Sequence, residues 1–222
     1  MRYPGGKGKT YHQIINLLPP HKTYIETHLG GGAVLRNKKP AADRSLAIDR
    51  DPKVIEHWRR CFPSLASYVE ADALEFLTTT HFTGEEVIYC DPPYLPCTRR
   101  RRRVYRYDYD THDHEALLKI ICCLPSRIVI SGYPSELYDS ELHDWSTLTF
   151  TAKAHNGIRT EKVWFNFEPP KHLHDPRYLG NNFRERQTHR RRIDRLQRRI
   201  GSLSSQEQHS LSEWLANRLS GG

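Results

Sequence analysis

The sequence predicts an α/β fold of the Rossmann-like type, with a mostly parallel sheet of seven strands. Short apolar segments rich in β-branched residues alternate with helical segments over residues 1–170. Three glycines follow the first strand segment, and an acidic residue stands at or just after the end of three others. Because open α/β sheets bind ligands at the carboxyl ends of their strands, these groups predict one ligand site at that edge.

Basic residues are unevenly distributed along the 222-residue chain, whose formal net charge is +8. Residues 171–222 hold 11 Lys and Arg against 5 Asp and Glu, and a second basic run extends from Arg99 to Arg103. Such clusters favour a polyanionic partner over a merely solvated basic surface. We place the main domain at residues 1–170 and a basic helical extension at residues 171–222.

The five cysteines lack the paired spacing of a disulfide framework or a structural zinc site. Cys122 and Cys123 are expected on a buried helix face. No apolar segment approaches the length of a transmembrane span, and the N-terminus has no apolar signal-peptide core. The sequence therefore predicts a soluble, cytoplasmic protein.

Residues 1–10 are rich in glycine and include Gly8-Lys9-Thr10, the end of a phosphate-loop pattern. The full pattern needs a glycine where Tyr3 stands and a preceding strand for which there is no room, so we reject it. The glycines instead allow the backbone to approach a ligand closely, with Tyr3 and Lys7 available to line it. A helix from Lys9 to Leu18 is expected to follow and to end at two prolines.

The first predicted strand, Thr23 to Glu26, is followed by Gly30-Gly31-Gly32 and then by a helix. Glycines in this place form a tight turn and direct the helix N-terminus at a ligand. The second strand, Ser45 to Asp49, ends in an acid about 20 residues after the glycines, where Rossmann-type folds place the carboxylate that binds ribose hydroxyls.

Two further acidic residues precede predicted helices. Asp51 is expected to cap the helix that begins at Pro52. Asp72 follows the third strand, Ser67 to Glu70, and either accepts a hydrogen bond from an adenine amine or caps the next helix. The sequence alone leaves both roles of Asp72 open.

The fourth strand, Val87 to Cys90, stops abruptly at Asp91-Pro92-Pro93-Tyr94. The prolines fix their φ angles and carry no N–H, so this turn is stiff and offers carbonyl acceptors. A carboxylate, a carbonyl and a flat ring side by side suit a planar base with an exocyclic amine. The alternative is a tight turn in which the aspartate is only a cap, but the preceding strand and the tyrosine favour the site.

Arginine and tyrosine interleave in residues 99–109, a segment too polar for a core strand. We interpret it as a loop or hairpin that contacts phosphates and bases. The residues expected to make these contacts are Arg99, Arg100, Arg101, Arg102, Arg103, Tyr105 and Arg106.

The remaining predicted elements of the main domain are a helix that opens at Asp113-His114, a fifth strand from Arg127 to Ser131, and an antiparallel pair, Ser146 to Ala152 and Lys162 to Phe167, around the Asn156-Gly157 turn.

After them, residues 183–200 predict an Arg-rich helix with Ile193, Leu196 and Ile200 on one face and Gly201 as its C-cap. Ser204 and Glu207 have the spacing of a capping box and predict a last helix. We expect a basic helical hairpin packed on the main domain.

Together and in this order, Tyr3-Pro4-Gly5-Gly6-Lys7, Gly30-Gly31-Gly32, Asp49 and Asp91-Pro92-Pro93-Tyr94 resemble the DNA adenine-N6 methyltransferases of the DNA adenine methylase type. The resemblance covers roughly residues 1–170, and the Asp-Pro-Pro-Tyr element is specific to amino-methyltransferases. Ser131-Gly132-Tyr133 and the stretch from Glu161 to Asn166 are similar to the small phage- and prophage-like members.

The resemblance implies a Rossmann-like S-adenosylmethionine-dependent methyltransferase fold and a role for each motif. Tyr3 and Lys7 would belong to an N-terminal cofactor element, and the three glycines would cradle S-adenosylmethionine. Asp49 would hold the ribose hydroxyls of the cofactor, and Asp72 would face its adenine.

For catalysis, the resemblance implies that Asp91 and the Pro92 carbonyl accept hydrogen bonds from the N6 amine of the target adenine, with Pro93 completing the stiff turn. Tyr94 would stack on the base after it has flipped out of the duplex. The conjugated N6 lone pair is a poor nucleophile, and two acceptors favour the charge-developing form reached in the transition state. The sulfonium methyl needs only in-line positioning, so no metal and no covalent intermediate are required.

Double-stranded DNA is the partner that the resemblance implies; it leaves open a homodimer and a restriction endonuclease partner. The chain departs from the family pattern in two places, and the first puts sequence recognition in doubt. Asp72 and Asp91 are only 19 residues apart, too few for the target-recognition domain of longer members, and His28 stands where proline or a similar residue is expected. We expect the 99–109 segment and the C-terminal hairpin to replace that domain. The hairpin residues expected to bind DNA are Arg190, Arg191 and Arg192.

Three alternative functions are considered. Two keep the enzyme and change the substrate to cytosine N4 or to adenine in RNA. The third is a DNA-binding regulator that keeps the fold without turnover. The intact Asp91, Tyr94, Asp49 and glycine run argue against the regulator.

Overall fold

The computed structural model describes residues 7–8, 10–99, 106–154, 157–180 and 182–220. Several residues named above lie outside the described part of the chain, namely Tyr3, Lys9, Arg100, Arg101, Arg102, Arg103, Tyr105 and Asn156. The chain forms two compact units, Met1–Asp175 and Pro176–Gly222. In the described ranges, none of the helices combines the length and the apolar character needed to cross a membrane.

The first unit is built on a single sheet. Its strands are β1 Thr23–Thr27, β2 Arg44–Asp49, β3 Ser67–Glu70, β4 Glu86–Cys90, β5 Arg127–Gly132, β6 Ser146–Ala154 and β7 Gly157–Phe165. Within the described residues, the seven strands have the order β3-β2-β1-β4-β5-β7-β6. Strands β1 to β5 pair in parallel, whereas β7 is antiparallel to both β5 and β6. This is the mostly parallel sheet that the sequence predicts.

Strands β1 and β4 lie side by side at the centre of the sheet, with Thr27 opposite Cys90. The strand order reverses between them, because β2 and β3 extend from β1 while β5, β7 and β6 extend from β4. The glycine run and the Asp91 turn therefore leave the sheet next to each other. Such a switch point is where open α/β sheets bind their ligands.

Strand β4 is buried along its whole length, as expected for a central parallel strand that is covered on both faces. Val87, Ile88 and Cys90 have no exposed surface. The neighbouring residues Ile128 and Ile130 of β5 are equally enclosed. This packing fixes the position of Asp91, the first residue after β4.

The helices of the first unit cover the two faces of the sheet and connect successive strands. They are α1 Tyr11–Ile15, α2 Ala33–Asn37, α3 Pro52–Cys61, α4 Ala73–Thr79, α5 Thr111–Cys123 and α6 Glu136–Glu141. Asp51 caps α3, since its carboxylate accepts a hydrogen bond from the Lys53 N–H at 3.0 Å, which confirms the predicted cap. Asp110 and Asp113 form a capping box at the start of α5.

Helix α1 and strand β7 differ most in extent from the prediction. Helix α1 ends at Ile15 rather than Leu18, because Leu17 and Leu18 donate to carbonyls three residues back and tighten the last turn before Pro19. Strand β7 begins at Gly157 rather than Lys162 and ends at Phe165. Its first half is polar and mostly exposed, so it lacks the apolar alternation that marks a strand in the sequence.

The expectation that Cys122 and Cys123 are buried is wrong, because both are exposed. Helix α5 buries His114, Leu117, Leu118 and Ile121. This stripe follows the helical spacing of three and four residues, and the two cysteines fall outside it.

The second unit contains α7 Phe183–Gly201 and α8 Ser205–Ser220. The predicted capping box of α8 is confirmed, since the Ser204 N–H donates to Glu207 Oε2 at 2.8 Å and the Ser204 hydroxyl accepts from the Glu207 N–H at 3.4 Å. The C-cap of α7 is Ser202 rather than Gly201. The apolar residues of α7 remain exposed; Ile193, for example, is 50% exposed. The packing of this unit on the main domain stays a prediction.

Candidate active site

An open cavity lies at the carboxyl edge of the sheet. It follows the switch point between β1 and β4, which is where open α/β sheets bind their ligands. The residues that line it come from six segments: Lys7; Glu26, His28, Leu29, Gly30, Gly31, Gly32, Ala33 and Val34; Asp49 and Arg50; Ala71, Asp72 and Ala73; Tyr89, Asp91, Pro92 and Pro93; and Tyr107 and Tyr109. The structure thus brings the predicted cofactor and catalytic motifs together at one cavity.

The glycine run forms a tight turn at one end of the cavity. Gly30 and Gly32 have φ angles of 45° and 50°, which glycine adopts without strain. The Trp58 indole donates to the Gly30 carbonyl at 3.0 Å and packs against Gly32. A Cβ on Gly32 would lie 2.3 Å from an indole carbon, so only glycine fits there.

Asp49 is held by the backbone beside this turn. Its two carboxylate oxygens accept hydrogen bonds from the Gly30 N–H at 2.7 Å and from the Asp51 N–H at 2.8 Å. Burial raises the pKa of Asp49 above its ordinary value, and these two hydrogen bonds oppose the rise. Each oxygen keeps a second lone pair, so the carboxylate can still accept from a ligand hydroxyl at the cavity wall.

Asp72 has one of the two roles that the sequence leaves open, the helix cap, and it also lines the cavity. Its carboxylate caps α4 by accepting from the Leu74 N–H at 2.8 Å. It also pairs with Arg50 at 3.1 Å and lines the cavity. The Arg50 guanidinium lies 5.7 Å from the centre of the Tyr107 ring. The cap is therefore shown, and contact with a cofactor adenine stays a proposal.

Asp91 is oriented by a chain of hydrogen bonds. Its Oδ1 accepts from the Ser131 hydroxyl at 2.8 Å and from Lys7 Nζ at 2.6 Å. Ser131 is itself within 2.9 Å of the Tyr89 hydroxyl. Ser131 and Tyr89 are buried, so the Asp91 carboxylate is fixed from the protein side. Among the described residues, no hydrogen bond reaches Oδ2, which leaves an acceptor for a ligand.

Lys7 lies beside Asp91 in the cavity that the glycines also line, and its assignment to a cofactor element stays a prediction. Its ammonium contacts Asp91, the Tyr94 hydroxyl at 3.0 Å and Glu161 at 3.8 Å. Burial lowers the pKa of Lys7, but Asp91 and the weaker effects of its other neighbours outweigh burial and raise it well above its ordinary value. Lys7 is therefore a buried, charged partner of the predicted catalytic carboxylate.

The ring of Tyr94 is already stacked in this structure. It lies against Tyr133 with a centroid distance of 4.0 Å and an interplanar angle of 17°. Arg159 lies 5.7 Å from the centre of the Tyr133 ring. Tyr94 is only 7% exposed. The face predicted to stack on a base is therefore occupied by another aromatic ring.

The segment from Arg106 to Tyr109 contributes Tyr107 and Tyr109 to the wall of the cavity. The Arg106 guanidinium donates to both oxygens of Asp51, at 2.8 and 2.9 Å. The Tyr109 hydroxyl lies 3.0 Å from His28 Nε2. Burial lowers the pKa of His28 to about 3, so the imidazole is neutral. His28 has a positive φ of 60°, and these contacts hold it there.

The predicted DNA-binding residues are only partly described. Arg99 is 4% exposed and pairs with Asp108 at 2.7 Å, so it anchors the 99–109 segment instead of presenting its charge to solvent. Arg106 is about half exposed in spite of its pairing with Asp51. Arg190, Arg191 and Arg192 lie on α7 and are exposed. Arg100 to Arg103 and Tyr105 lie outside the described part.

Sequence reasoning gives no role to four residues at this site. Ser131, Tyr89 and Glu161 surround the Asp91 turn, and Glu26 lines the cavity below the glycines. Burial raises the pKa of Glu26 to about 8, although the hydrogen bond from the Tyr24 hydroxyl opposes the rise. An acid inside a predicted buried strand is the sequence signal that could have identified Glu26.

Residues 3–77 match the family model described as D12 class N6 adenine-specific DNA methyltransferase. The matched stretch contains the glycine turn, Asp49 and Asp72 and ends before Asp91. The match confirms the resemblance found in the motifs and supports methyl transfer to adenine N6. A search of curated proteins gave no significant match.

Solved structures share the fold at low sequence identity. TrmN from Thermus thermophilus superposes with a TM-score of 0.52 and 14% identity over 72% of this chain and 48% of that chain. TrmK from M. capricolum, in complex with S-adenosyl-homocysteine, gives 0.47 and 10% over 96% and 94%. The O-methyltransferase TomG from Streptomyces achromogenes, in complex with SAM, gives 0.49 and 13% over 73% and 80%. The superposition on TrmN and the strand order of the sheet confirm the predicted Rossmann-like fold.

Replacing Gly32 by alanine is expected to destabilise the protein by about 2–4 kcal/mol, because the new Cβ must displace the Trp58 indole at a left-handed φ. Urea unfolding measures the loss. Gly132→Ala is the matched control, since its Cβ would make an ordinary 3.6 Å contact with Trp164 and should change stability by less than about 1 kcal/mol. Equal losses for the two variants would contradict the close packing at Gly32.

Glu26→Gln is expected to flatten the dependence of stability on pH. The folded protein holds the Glu26 proton more tightly than the unfolded chain, so this stabilisation is full below the ordinary pKa of 4.5 and is lost as pH rises towards about 8. The variant should therefore become more stable relative to the wild type across that window. Urea unfolding at several pH values tests this, with the exposed Glu70→Gln as control. Parallel curves for Glu26→Gln and the wild type would contradict it.

Proposed function

We propose that this enzyme transfers the methyl group of S-adenosylmethionine to the N6 amine of adenine in double-stranded DNA, acting on a base flipped out of the duplex. The observation that carries the proposal is the position of Asp91. Its carboxylate is fixed by Ser131 and stands with Pro92 and Pro93 at the wall of the cavity that the glycine turn and Asp49 also line. The family match over residues 3–77 supports the reaction type.

The cavity fits S-adenosylmethionine, which supplies an electrophilic methyl group on a sulfonium. Gly30, Gly31 and Gly32 line the cavity without side chains, so a ligand can approach the backbone there. Asp49 offers acceptor lone pairs for a ribose diol, and Asp72 stands on the far wall for an adenine amine. The buried acid Glu26 suits the amino group of the methionine moiety.

Asp91 and the Pro92 carbonyl act on the nucleophile. The N6 lone pair of adenine is conjugated with the ring, and two acceptors on the amine favour the pyramidal form in which the lone pair points at the methyl group. As the N–C bond forms and the S–C bond breaks, positive charge passes from sulfur to N6. The Asp91 carboxylate stabilises this charge, and N6 then loses a proton to Asp91 or to solvent.

The target base can stack on this face of Tyr94 only if the Tyr133 side chain moves away from it. The two rings stack at 4.0 Å, which leaves no room for a base between them. We propose that the flipped adenine takes the place of Tyr133 against Tyr94. Stacking on an aromatic side chain contributes about 1–3 kcal/mol per base and offsets part of the cost of unstacking the duplex.

The basic residues of the chain supply the contacts with DNA phosphates. Arg106 directly precedes Tyr107, which lines the cavity, and Arg100 to Arg103 precede Arg106 in the sequence. Arg190, Arg191 and Arg192 add a second cluster on α7. A homodimer, a restriction endonuclease partner and a cytoplasmic location stay predictions.

Methyl transfer from labelled S-adenosylmethionine to unmethylated duplex DNA, followed by nucleoside analysis, tests the proposed function. The wild type should give N6-methyladenine. Asp91→Asn should lose about 100-fold or more in rate, because the amide keeps the size of the side chain but not its charge. Asp144→Asn is the control, since the Asp144 side chain is 87% exposed, and it should keep full activity.

Each other outcome of this assay has a definite meaning. N4-methylcytosine as the product would keep the mechanism and change the base, and transfer to RNA alone would change the polymer. Cofactor binding without product on either polymer would support the regulator. Full activity of Asp91→Asn would contradict the role of the carboxylate.

Replacing Arg190, Arg191 and Arg192 together by glutamine is expected to weaken DNA binding uniformly across sequences. The slope of log Kd against log salt should fall by about 0.9 for each phosphate that these arginines no longer neutralise. Fluorescence anisotropy with a labelled duplex at several salt concentrations measures both the affinity and the slope. Arg60→Gln, an exposed arginine of α3, is the control. An unchanged affinity and salt slope for the triple variant would remove α7 from the DNA interface.

A further inference from the structure

Glu161 lies in β7 at the catalytic end of the cavity and is enclosed by protein. It is only 7% exposed. Its Oε1 accepts a hydrogen bond from the Tyr94 hydroxyl at 3.4 Å. Its Oε2 is buried and has no hydrogen-bond partner among the described residues. A buried carboxylate oxygen without a donor is costly, so its presence beside a reaction centre indicates a task.

Lys7 stands between Glu161 and Asp91. Its ammonium is 2.6 Å from Asp91 Oδ1 and 3.8 Å from Glu161 Oε2. The Lys7 side chain is 2% exposed, so solvent does not compete for its charge. One buried cation is therefore shared unequally between two carboxylates.

The present position of Lys7 is unfavourable for the proposed chemistry. While the ammonium is paired with Asp91, it cancels much of the negative charge of that carboxylate. The attacking N6 amine becomes positive in the transition state and needs that charge. A base amine bound at the open Oδ2 would face a carboxylate already neutralised through Oδ1.

We propose that Glu161 is a positioning residue that receives the Lys7 ammonium when the target adenine enters, so that the charge of Asp91 becomes available to the base. This inference rests on the proposed function and deepens it. It gives the unpartnered oxygen of Glu161 a donor in the state in which the reaction occurs. It also explains why a second acid is buried near Asp91.

The transfer requires only a small movement. Shortening the 3.8 Å contact to hydrogen-bond length moves Nζ by about 1 Å, and the four-carbon stem of lysine is flexible. The Tyr94 hydroxyl contacts both Lys7 and Glu161, so it can stay bonded throughout. An ammonium has three donors, enough for Tyr94 and Glu161 together.

A double-mutant cycle separates this role from a merely structural one. Single-turnover methyl transfer is measured at saturating S-adenosylmethionine and DNA for the wild type, Glu161→Gln, Lys7→Met and the double variant. Glu161→Gln should slow transfer by about tenfold in the Lys7 background and by less than about twofold in the Lys7→Met background. Cofactor and DNA affinities of Glu161→Gln should equal those of the wild type.

Two results overturn the inference while leaving the proposed function intact. The first is a rate of methyl transfer by Glu161→Gln that equals the wild-type rate. The second is an equal loss of rate on Glu161→Gln substitution in the Lys7 and Lys7→Met backgrounds, which is expected if Glu161 only fixes Tyr94. Absence of transfer by the wild type itself overturns both proposals.

A second measurement does not depend on the folding of any variant. It is a crystal structure of the wild type with S-adenosylhomocysteine and a duplex that carries a mapped methylation site. Lys7 Nζ should then lie within hydrogen-bond distance of Glu161 Oε2. A Lys7 that stays on Asp91 with the base in place overturns the inference.

Discussion

The parallel register of β1 and β4 is the constraint on which the site depends. These two strands are buried, adjacent and parallel, with their last residues paired. The segments that follow them therefore begin at the same edge of the sheet. The turn after β1 is made of glycines packed on Trp58, and the turn after β4 is made of prolines. One turn lets a ligand approach the backbone, and the other fixes a carboxylate. A shift of one residue between the strands would reverse the faces of their side chains and separate the two turns.

Charge distribution at the catalytic end follows from burial. Two carboxylates share one ammonium group here. Lys7 pairs with both Asp91 and Glu161. Burial raises the pKa of Glu161 although Lys7 opposes the shift. The ordering of Asp91 by Ser131 and Tyr89 is independent of this sharing, because those hydroxyls come from inside the sheet. The carboxylate can therefore keep its orientation while its ionic partner changes.

The sequence predicts those parts of the molecule that local signals determine. The strands, the cap at Asp51 and the capping box at Ser204 are set by neighbouring residues, and the structure contains them. The place of Lys7 is different, since its partner Asp91 is 84 residues away and no spacing rule links them. The charge of Arg99 alone predicts a DNA contact, whereas its burial against Asp108 is a tertiary contact. Glu161 stands in the polar half of β7, which carries little strand signal.

The stack of Tyr94 on Tyr133 has a consequence for which molecules the enzyme accepts. A free nucleoside that enters the site must separate the two rings with nothing but its own stacking energy to offset the loss. Under the proposed function, a base in a bound duplex would be held by many phosphate contacts, whose binding energy could be used to separate the rings. The stacked tyrosines would then exclude small adenine compounds, which lack those contacts. The stack of Tyr94 on Tyr133 would then favour adenine in DNA over free adenine nucleosides. No side chain would need to contact the feature that distinguishes the two.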